Sequence, residues 1–331
     1  MNPVYSLVIP IYNEEAVLPA LLHRMDALLA RLDGPAEVIF VDDGSRDSGP
    51  IVLEARARAD RRYRFIKLSR NFGHQIAITT GMDRAAGDAV IVMDADLQDP
   101  PEVVVEMAAR WREGFQVVYA ERLSRDGESR FKRLTADLFY RLIGKLSDVE
   151  IPRNVGDFRL VDRKVLDCFR AMPERDRFVR GMFAWLGFSQ TTVRFHRPPR
   201  AAGKTKYSLT KMIRLALNGV ISFSDAPLRL ALWIGMAISA LAMLYGGWVI
   251  AMWALNATLA PGWTSTIIVT ALLCGANMMM TGIMGLYVGR IYAEVKARPL
   301  YIVDRAVGFA HDGEAADEDG KRFGEREARR A

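Results

Sequence analysis

The sequence predicts an α/β fold with a mostly parallel sheet, followed by two helices that cross a membrane. Apolar strands alternate with helical segments over residues 1 to about 125, which is the pattern of an α/β layer. Several of these strands end in acidic or amide residues, and the carboxyl ends of the strands are where open α/β sheets bind ligands. Between Arg229 and Arg290 there is no charged residue, and this stretch can cross a bilayer core of about 30 Å twice.

Five strands are predicted in the first part of the chain. They cover residues 5–11, 38–41, 65–68, 89–94 and 116–120. After the first strand, Asn13, Glu14 and Glu15 are expected to cap a helix that runs to about residue 32. Three of the strands therefore deliver polar side chains at the same edge of the sheet.

The run that follows the fourth strand predicts a divalent metal site. Side chains alternate along a strand, so Asp94 and Asp96 leave the same face, and Gln98 can follow as a third oxygen ligand. Oxygen ligands of this kind favour Mg²⁺ or Mn²⁺. An acidic loop without a metal is the alternative.

The turns after two strands have their own predicted roles. Asp42 and Asp43 follow the second strand, and a plain turn with a helix cap is one explanation for this pair. After the metal strand, Asp99, Pro100 and Glu102 are expected to be the N-cap, the first residue and the third residue of a helix. The strand would then pass directly into a helix beside the metal.

The charge-free stretch is divided by Pro261 and Gly262 into two apolar blocks, which predicts two transmembrane helices. A buried helical hairpin in a soluble core is the alternative, although soluble helices of this length usually carry a charged face. Basic residues flank the stretch on both sides, which predicts that both of its ends face the cytoplasm. The first part of the chain and both termini would then lie in the cytoplasm, at the inner (cytoplasmic) membrane. Residues 1–20 lack the features of a cleavable signal peptide.

Composition narrows the expected partners. The net charge is +6, and no nucleic-acid motif accompanies it, so membrane lipid of negative charge is the expected partner and nucleic acid is not. Cys168 and Cys274 are the two cysteines. They support neither a disulfide framework nor a cysteine metal site.

The predicted organisation has five parts. A catalytic domain at 1–206 contains an amphipathic stretch at about 131–146, which either lies on the membrane or packs on the sheet as an ordinary surface helix. The other parts are an interfacial helix at 207–227, two transmembrane helices at 228–292, short strands at 293–310 and a disordered tail at 311–331. Within the fourth part, residues 300–303 and 307–309 are expected to pair as a hairpin.

Five segments carry a resemblance to a known family. They are VIPIYNEE at 8–15, VDDGS at 41–45, DADLQ at 94–98, GDFRL at 156–160 and RAAGKTKYS at 200–208. With them the chain resembles the family-2 glycosyltransferases of the GT-A (Rossmann-like) fold. Within that family it is similar to the polyprenyl-phosphate glycosyltransferases, which include dolichyl-phosphate mannose synthase and the bactoprenol glucosyltransferases. The resemblance covers about residues 4–300.

The resemblance implies roles on the donor side of the site. The residues that would line the base and ribose pocket are Pro10, Tyr12, Glu14, Asp42 and Asp43. Asp94, Asp96 and Gln98 would hold Mg²⁺ or Mn²⁺ against the diphosphate, so Asp94 also belongs to the nucleotide-sugar site. A cation on those oxygens would stabilise the leaving group.

On the acceptor side, basic residues would bind a lipid phosphate. They are Arg122, Arg130, Arg133, Arg200, Lys204 and Lys206. A belt that binds anionic lipid without specificity is the alternative. The resemblance also places Asp157 near the reacting centre, where it would orient or deprotonate the acceptor, with Arg159 as its ion partner. A strong base is not required, since the second pKa of a phosphate monoester is about 6.

The predicted reaction is inverting transfer of a sugar to undecaprenyl (polyprenyl) phosphate for cell-envelope glycan modification, with UDP-glucose as the expected donor. GDP-mannose, UDP-N-acetylhexosamine and UDP-4-deoxy-4-formamido-arabinose stay open, because sugar epimers differ by single hydroxyls. A homo-tetramer would follow the bacterial relatives.

Two competing functions are weighed against this one. A processive polysaccharide synthase would carry Gln-x-x-Arg-Trp and more spans, whereas the nearest match here, at 107–111, is preceded by Glu106. A non-catalytic, membrane-anchored nucleotide-sugar sensor would lack a metal ligand or the basic cluster, and both are present.

Overall fold

The computed structural model describes residues 2–123, 155–175, 177–196, 226–255 and 262–309. These residues form two compact units: residues 226–298 make one, and the remaining described residues make the other. Several predictions concern residues outside these ranges. They are the amphipathic stretch at 131–146, nearly all of the helix at 207–227, the tail at 311–331, and the side chains of Arg130, Arg133, Arg200, Lys204 and Lys206.

The first unit alternates strands and helices. Its strands are β1 (Tyr5–Ile11), β2 (Ala36–Asp42), β3 (Tyr63–Leu68), β4 (Ala89–Val92), β5 (Val117–Arg122), β6 (Val155–Asp162), β7 (Gln190–Phe195) and β8 (Val303–Val307). Its helices are α1 (Leu18–Leu29), α2 (Gly49–Ala59), α3 (His74–Arg84), α4 (Val103–Arg112), α5 (Arg163–Ala171) and α6 (Val179–Trp185), with a 3₁₀ turn at Glu15–Val17.

The strands form one sheet in the order β7-β5-β6-β4-β1-β2-β3-β8. β1 lies parallel to β2 and β4, β2 to β3, and β5 to β7. β6 and β8 run antiparallel to their neighbours. The predicted α/β class with a mostly parallel sheet is confirmed.

The core lies on both faces of the central strands, which explains their largely apolar sequences. Every residue of β1 and β4 is buried. Helix α3 packs especially closely, because a Cβ at Gly81 would come within 2.3 Å of Cγ1 of Val8. Glycine at this position therefore allows α3 to lie directly on β1, and α3 begins at His74, on the carboxyl side of the sheet.

The loop after β4 differs from the prediction. β4 ends at Val92, so the acidic run lies in a loop. Helix α4 begins at Val103 after Glu102, and Asp99 is not its N-cap. The two successive prolines explain the later start, because a residue before proline is disfavoured in the helical conformation. Asp99 is instead fully buried.

The segment after β1 also differs in part. Asn13 and Glu14 do not lead straight into a long helix. A 3₁₀ turn comes first, and α1 then ends at Leu29, three residues before the predicted limit. Asn13 has φ of 53°, a left-handed conformation that Asn tolerates better than most residues and that does not continue a helix.

Two strands and two helices were not predicted at all. β6 is almost entirely buried, yet it contains the charged residues Asp157 and Arg159, which interrupt the apolar pattern of a strand. β7 alternates polar residues with Val193 and Phe195. Helices α5 and α6 are short, and short helices carry weak periodicity.

The predicted hairpin after the second apolar helix is wrong. Residues 303–307 form the single strand β8, which pairs antiparallel with β3. The side chain of Arg305 lies 2.8 Å from Glu54, and the Tyr301 hydroxyl donates to Asp83 at 3.0 Å. An open sheet edge offers unpaired backbone groups along its whole length, whereas a two-stranded hairpin is marginally stable alone.

The second unit contains two long apolar helices, α7 (Ala226–Ala254) and α8 (Trp263–Val295). Within them, Ala231–Trp248 and Leu272–Val295 have the length and composition of membrane spans. A Cβ at Gly235 would lie 3.4 Å from Cε of Met280, so the two helices are in contact. The predicted pair of apolar helices is confirmed.

Candidate active site

The carboxyl end of β2 buries two consecutive carboxylates. Asp42 is fully buried, and its two oxygens accept from the backbone N–H of Ser45 at 3.1 and 3.3 Å. Burial raises the pKa of Asp42, and the hydrogen bonds from Ser45 only partly oppose that rise. This carboxylate therefore shapes the turn that follows β2.

Asp43 joins that turn to the start of α3. Its oxygens accept from the N–H groups of Phe72 at 2.7 Å and Gly73 at 3.0 Å. Burial raises the pKa of Asp43 against the effect of these hydrogen bonds. A Cβ at Gly44 would lie 2.6 Å from the backbone of Asn71, so the two loops touch. The turn explanation for Asp42 and Asp43 holds, and a role at the donor stays a prediction.

The loop after β1 is fixed to the same turn. The Asn13 N–H donates to Oγ of Ser45, and the Arg46 N–H donates to Oδ1 of Asn13, both at 2.9 Å. Pro10 is buried within β1, whereas Tyr12 is 39% exposed. The structure thus brings the loop that contains Tyr12 and Glu14 to the edge where Asp42 lies.

The loop after β4 holds the three predicted metal ligands. The Gln98 N–H donates to Oδ1 of Asp96 at 3.1 Å, and Leu97 between them has φ of 58°. Burial raises the pKa of Asp94. The charges of Asp157 and Asp96 raise it further, while His74 and Arg122 lower it. Burial is thus the main cause of the raised pKa of Asp94, whose neighbours include charges of both signs.

These residues fit a divalent cation in their donor chemistry. Carboxylates that repel one another are stabilised by a shared cation, and Mg²⁺ commonly takes one or two carboxylates together with the phosphates of its substrate. Among the residues that the structure describes, no group of three His, Cys, Asp or Glu side chains could hold a metal. The set of Asp94, Asp96 and Gln98 would therefore need substrate oxygens to complete it.

Asp157 comes to the same place from the antiparallel strand β6. Val92 pairs with Arg159, and the same register continued by two residues sets Asp157 opposite Asp94. The carboxylate of Asp157 is 6% exposed. It accepts from Arg180 twice, at 2.8 Å from Nε and 3.1 Å from Nη2. The predicted partner, Arg159, is also present but is more distant, at 3.4 Å.

The surroundings of Asp157 keep it ionised. Burial would raise its pKa, but the positive charge of Arg180 and the hydrogen bond from His74 hold the pKa well below its usual range, and Arg159 adds to this. A carboxylate with so low a pKa is a weak proton acceptor.

Arg159 faces the protein interior. It is fully buried, and it donates to the carbonyl oxygens of Asp157 at 3.2 Å and Gly156 at 3.0 Å. Its guanidinium lies between the rings of Tyr119 and Phe183, at 5.4 and 5.2 Å. Burial lowers the pKa of Arg159, and Asp157 opposes that shift. Its contacts brace the backbone of β6.

His74 connects the loop after β4 to strand β6, and sequence analysis did not single it out. Its Nε2 lies 3.2 Å from Oδ2 of Asp157 and 3.5 Å from Oδ1 of Asp94. Burial lowers the pKa of His74, but the hydrogen bond to Asp157 and the charge of Asp94 outweigh it and raise the pKa. His74 begins α3, several residues after the end of β3, so the rule that identified Asp42 and Asp94 at strand ends does not reach it.

Arg122 is the predicted acceptor residue that the described ranges include. It ends β5, and its guanidinium lies 3.6 Å from Asp99. A Cβ at Gly156 would lie 2.7 Å from Nη2 of Arg122, so the glycine leaves room for this side chain. Its charge also lowers the pKa of Asp94. The structure therefore brings Arg122 to the acidic edge.

Known proteins resemble this chain in sequence. The model of Glycosyl transferase family 2 matches residues 6–170. The uncharacterized glycosyltransferase YkcC of Bacillus subtilis (strain 168) is 45% identical over 92% of this chain and 94% of its own. The bactoprenol glucosyl transferase of Shigella phage SfII is 38% identical over 91% of this chain and 97% of its own. In structure, mannosyl-3-phosphoglycerate synthase from Rubrobacter xylanophilus gives a TM-score of 0.48 at 18% identity, over 66% of this chain and 72% of that one.

Proposed function

The chain belongs to glycosyl transferase family 2 and is a glycosyltransferase. We propose that it transfers the sugar of a nucleoside diphosphate sugar to a polyprenyl phosphate. The observation that carries this proposal is the approach of Asp94 and Asp157 to the same imidazole, that of His74. A donor site on one side of His74 and an acceptor site on the other would bring the two substrates together. The bactoprenol glucosyl transferase of Shigella phage SfII, similar over nearly its whole length, supports a polyprenyl acceptor and glucose as the sugar. Undecaprenyl phosphate is the acceptor and UDP-glucose the donor that we propose.

On the donor side, Asp94, Asp96 and Gln98 would hold Mg²⁺ or Mn²⁺. When bound, such a cation neutralises the diphosphate as it leaves. The nucleoside would lie over the neighbouring loops, which contain Pro10, Tyr12, Glu14, Asp42 and Asp43. The hydrogen bonds of Asp43 to the start of α3 support this placement, because they make the loops a fixed surface.

For Asp157 we propose orientation rather than proton removal. Its lowered pKa makes it a weak base, and a phosphate monoester is already largely ionised at neutral pH, since its second pKa is about 6. The carboxylate would hold the ring of His74 toward the reacting groups. Arg159 would act from the buried side by bracing β6.

On the acceptor side, Arg122 would bind the lipid phosphate together with a basic group from the rest of the chain. That group is Arg130, Arg133, Arg200, Lys204 and Lys206. An oxygen of the lipid phosphate would form a bond to the anomeric carbon as the bond to the diphosphate breaks. A single displacement of this kind inverts the configuration at that carbon.

The apolar helices α7 and α8 would anchor the enzyme in the inner (cytoplasmic) membrane. Their length and composition support two spans, and the basic residues on both flanks support cytoplasmic ends. The catalytic limits at 1–206, the interfacial helix at 207–227 and a homo-tetramer belong to the same proposal.

The test is transfer from radiolabelled nucleotide sugars to undecaprenyl phosphate in detergent, with Mg²⁺, Mn²⁺ or EDTA. We expect metal-dependent labelling from UDP-glucose, loss of labelling in Asp96→Asn, and normal labelling in Asp167→Asn, which alters an exposed carboxylate on α5. Labelling from GDP-mannose, UDP-N-acetylglucosamine or UDP-4-deoxy-4-formamido-arabinose instead would identify that nucleotide sugar, and not UDP-glucose, as the donor. Binding of nucleotide without any transfer would favour a sensor. A retained α linkage in the product, read by NMR, would contradict direct displacement.

A further inference from the structure

Arg180 and Gln75 form a closed ring of contacts with Asp157 that the proposed reaction does not yet use. Gln75 lies in α3, next to His74, and its Nε2 donates to Oδ2 of Asp157 at 3.3 Å. The other end of the same amide, Oε1, accepts from the N–H of Val179 at 3.2 Å. Val179 precedes Arg180, and Arg180 returns to Asp157 with two hydrogen bonds. Three elements, α3, β6 and α6, therefore meet at one carboxylate.

The contact of Arg180 fixes the direction of that carboxylate. Its Nε lies 2.8 Å from Oδ1 and its Nη2 lies 3.1 Å from Oδ2 of Asp157. A planar guanidinium that binds both oxygens restricts rotation of the carboxylate, whereas a lysine ammonium can satisfy the charge without the planar fork. The geometry of the pair is thus separable from its charge.

The ring leads to the reacting centre through His74. Oδ2 of Asp157 is the oxygen that contacts Nε2 of His74, and that nitrogen is 3.5 Å from Asp94. The side chain of His74 is 45% exposed, whereas the carboxylate of Asp157 is 6% exposed. The buried carboxylate of Asp157 therefore holds a group that solvent and substrates can reach. Arg170 differs from Arg180 in its partners, because it donates to backbone carbonyls at the end of α3 and to Asp167.

We propose that Arg180 and Gln75 are positioning residues, which hold the carboxylate of Asp157 and, through it, the ring of His74 beside Asp94. This inference rests on the proposed transferase site. It differs from a structural role in one respect: loss of the planar fork changes the orientation of His74 even where charge and fold are retained.

Three variants and a control test the proposal in the full chain in detergent. Arg180→Lys keeps the charge and removes the fork, Arg180→Gln removes both, and Gln75→Leu removes the link between Asp157 and Val179. Arg56→Lys is the control, because Arg56 is equally shielded, at 29% exposure against 32%, and pairs with Asp26 away from the site.

The first readout separates kcat from KM, with UDP-glucose and undecaprenyl phosphate as substrates. For Arg180→Lys we expect kcat to fall about 10- to 100-fold, the size expected when a reacting group is misplaced by an ångström or less, with both KM values within about threefold. Arg180→Gln should lose at least as much, Gln75→Leu about 10-fold, and Arg56→Lys should keep its kcat. Normal kcat in Arg180→Lys and Arg180→Gln, or a loss equalled by Arg56→Lys, would overturn the proposal.

The second readout needs no sugar donor. The chain has four histidines, so ¹⁵N-histidine NMR can follow the ring of His74, assigned with a His74→Gln variant. The ring signal should move in both Arg180 variants and in Gln75→Leu but not in Arg56→Lys. An unmoved signal in a folded Arg180→Gln would overturn the inference. Failure of the wild-type chain to transfer sugar would overturn the proposed function while this readout still decided the role of Arg180.

Discussion

The two ends of the central sheet both bury carboxylates, but they surround them differently. At the amino end, Oε1 of Glu37 accepts from the Ser6 hydroxyl at 2.5 Å and from the Ala86 N–H at 2.8 Å. Its Oε2 lies 2.7 Å from Nη1 of Arg64. At the carboxyl end, Asp94 is raised in pKa by burial and by neighbouring carboxylates. Glu37 is thus paired with a cation inside the protein, whereas Asp94 lies beside other carboxylates, whose negative charge a bound cation would neutralise.

This difference separates stability from function. Removal of a buried carboxylate that accepts hydrogen bonds and pairs with a cation leaves those partners unsatisfied, so its removal is costly. A carboxylate that lies close to other carboxylates destabilises the folded state, and such groups occur mainly at sites that bind a ligand. Substitutions at the two ends should therefore have opposite effects on folding and on activity.

The largest expected effect is that of Asp94→Asn. Activity should fall about 100- to 1,000-fold, as for removal of one preorganised electrostatic group. The free energy of unfolding at neutral pH should rise, because the amide is uncharged and burial no longer opposes it. Transfer assays and thermal unfolding in detergent measure the two quantities.

Asp83→Asn is the matched control for Asp94→Asn. Burial also raises the pKa of Asp83, but this residue contacts Tyr301 rather than the acidic edge. Its activity should be unchanged. Lost activity in both variants would mean that activity also depends on carboxylates away from the acidic edge, and the contrast between the ends would fail.

The second effect is that of Glu37→Gln, which tests the amino end. We expect the free energy of unfolding to fall by about 2–3 kcal/mol, because Arg64 and the surrounding donors would face a neutral amide in place of the carboxylate. Turnover per folded molecule should stay normal. Glu54→Gln is the control, since Glu54 pairs with the more exposed Arg58 and Arg305, and it should cost about 1 kcal/mol or less. Reduced turnover in folded Glu37→Gln would place this cluster in the catalytic machinery.

The same contrast limits what the sequence alone could predict. β1 was predicted to the residue because its seven residues are all buried and, apart from Ser6, form an apolar run. β6 was missed because the charged residues Asp157 and Arg159 interrupt the apolar pattern of a buried strand. Arg180 lies 23 residues from Asp157 in sequence, and no motif marks it. Its role arises from tertiary contacts, which a single sequence does not display.

The third prediction concerns two glycine-to-alanine substitutions, one at each end of the sheet. A Cβ at Gly156 would lie 2.7 Å from Nη2 of Arg122, the far end of a side chain that can move. A Cβ at Gly87 would lie 2.7 Å from the backbone N of Ser6, which cannot move without disturbing β1. Gly156→Ala should therefore displace Arg122 and raise the KM for undecaprenyl phosphate about 10-fold, the effect of losing one charged hydrogen bond, with little change in stability.

Gly87→Ala should show the reverse, with a loss of about 1–3 kcal/mol in stability from overpacking and a normal KM. Steady-state kinetics beside thermal unfolding distinguish the two variants. An unchanged KM in Gly156→Ala would show that Arg122 is not held for the acceptor. A loss of fold in Gly156→Ala would mean that the carboxyl end is as closely packed as the amino end.

The smallest effect is a difference in pH dependence between Asp157 and Asp94. The pKa of Asp157 is lowered in the folded state, so its ionised form stabilises the fold above the ordinary value near 3.8 and loses that contribution only as pH falls below it. The pKa of Asp94 is raised, so its ionised form opposes folding at neutral pH, and that penalty fades as pH falls toward 3.8. Between pH 7 and about pH 4, the instability of Asp157→Asn relative to wild type should not decrease, and it should increase as His74, whose pKa Asp157 raises, becomes protonated, while the extra stability of Asp94→Asn should shrink. Chemical unfolding in detergent across this range measures both differences. Parallel behaviour of the two variants would mean that Arg180 does not distinguish Asp157 from its acidic neighbours, because the same burial would then govern both carboxylates.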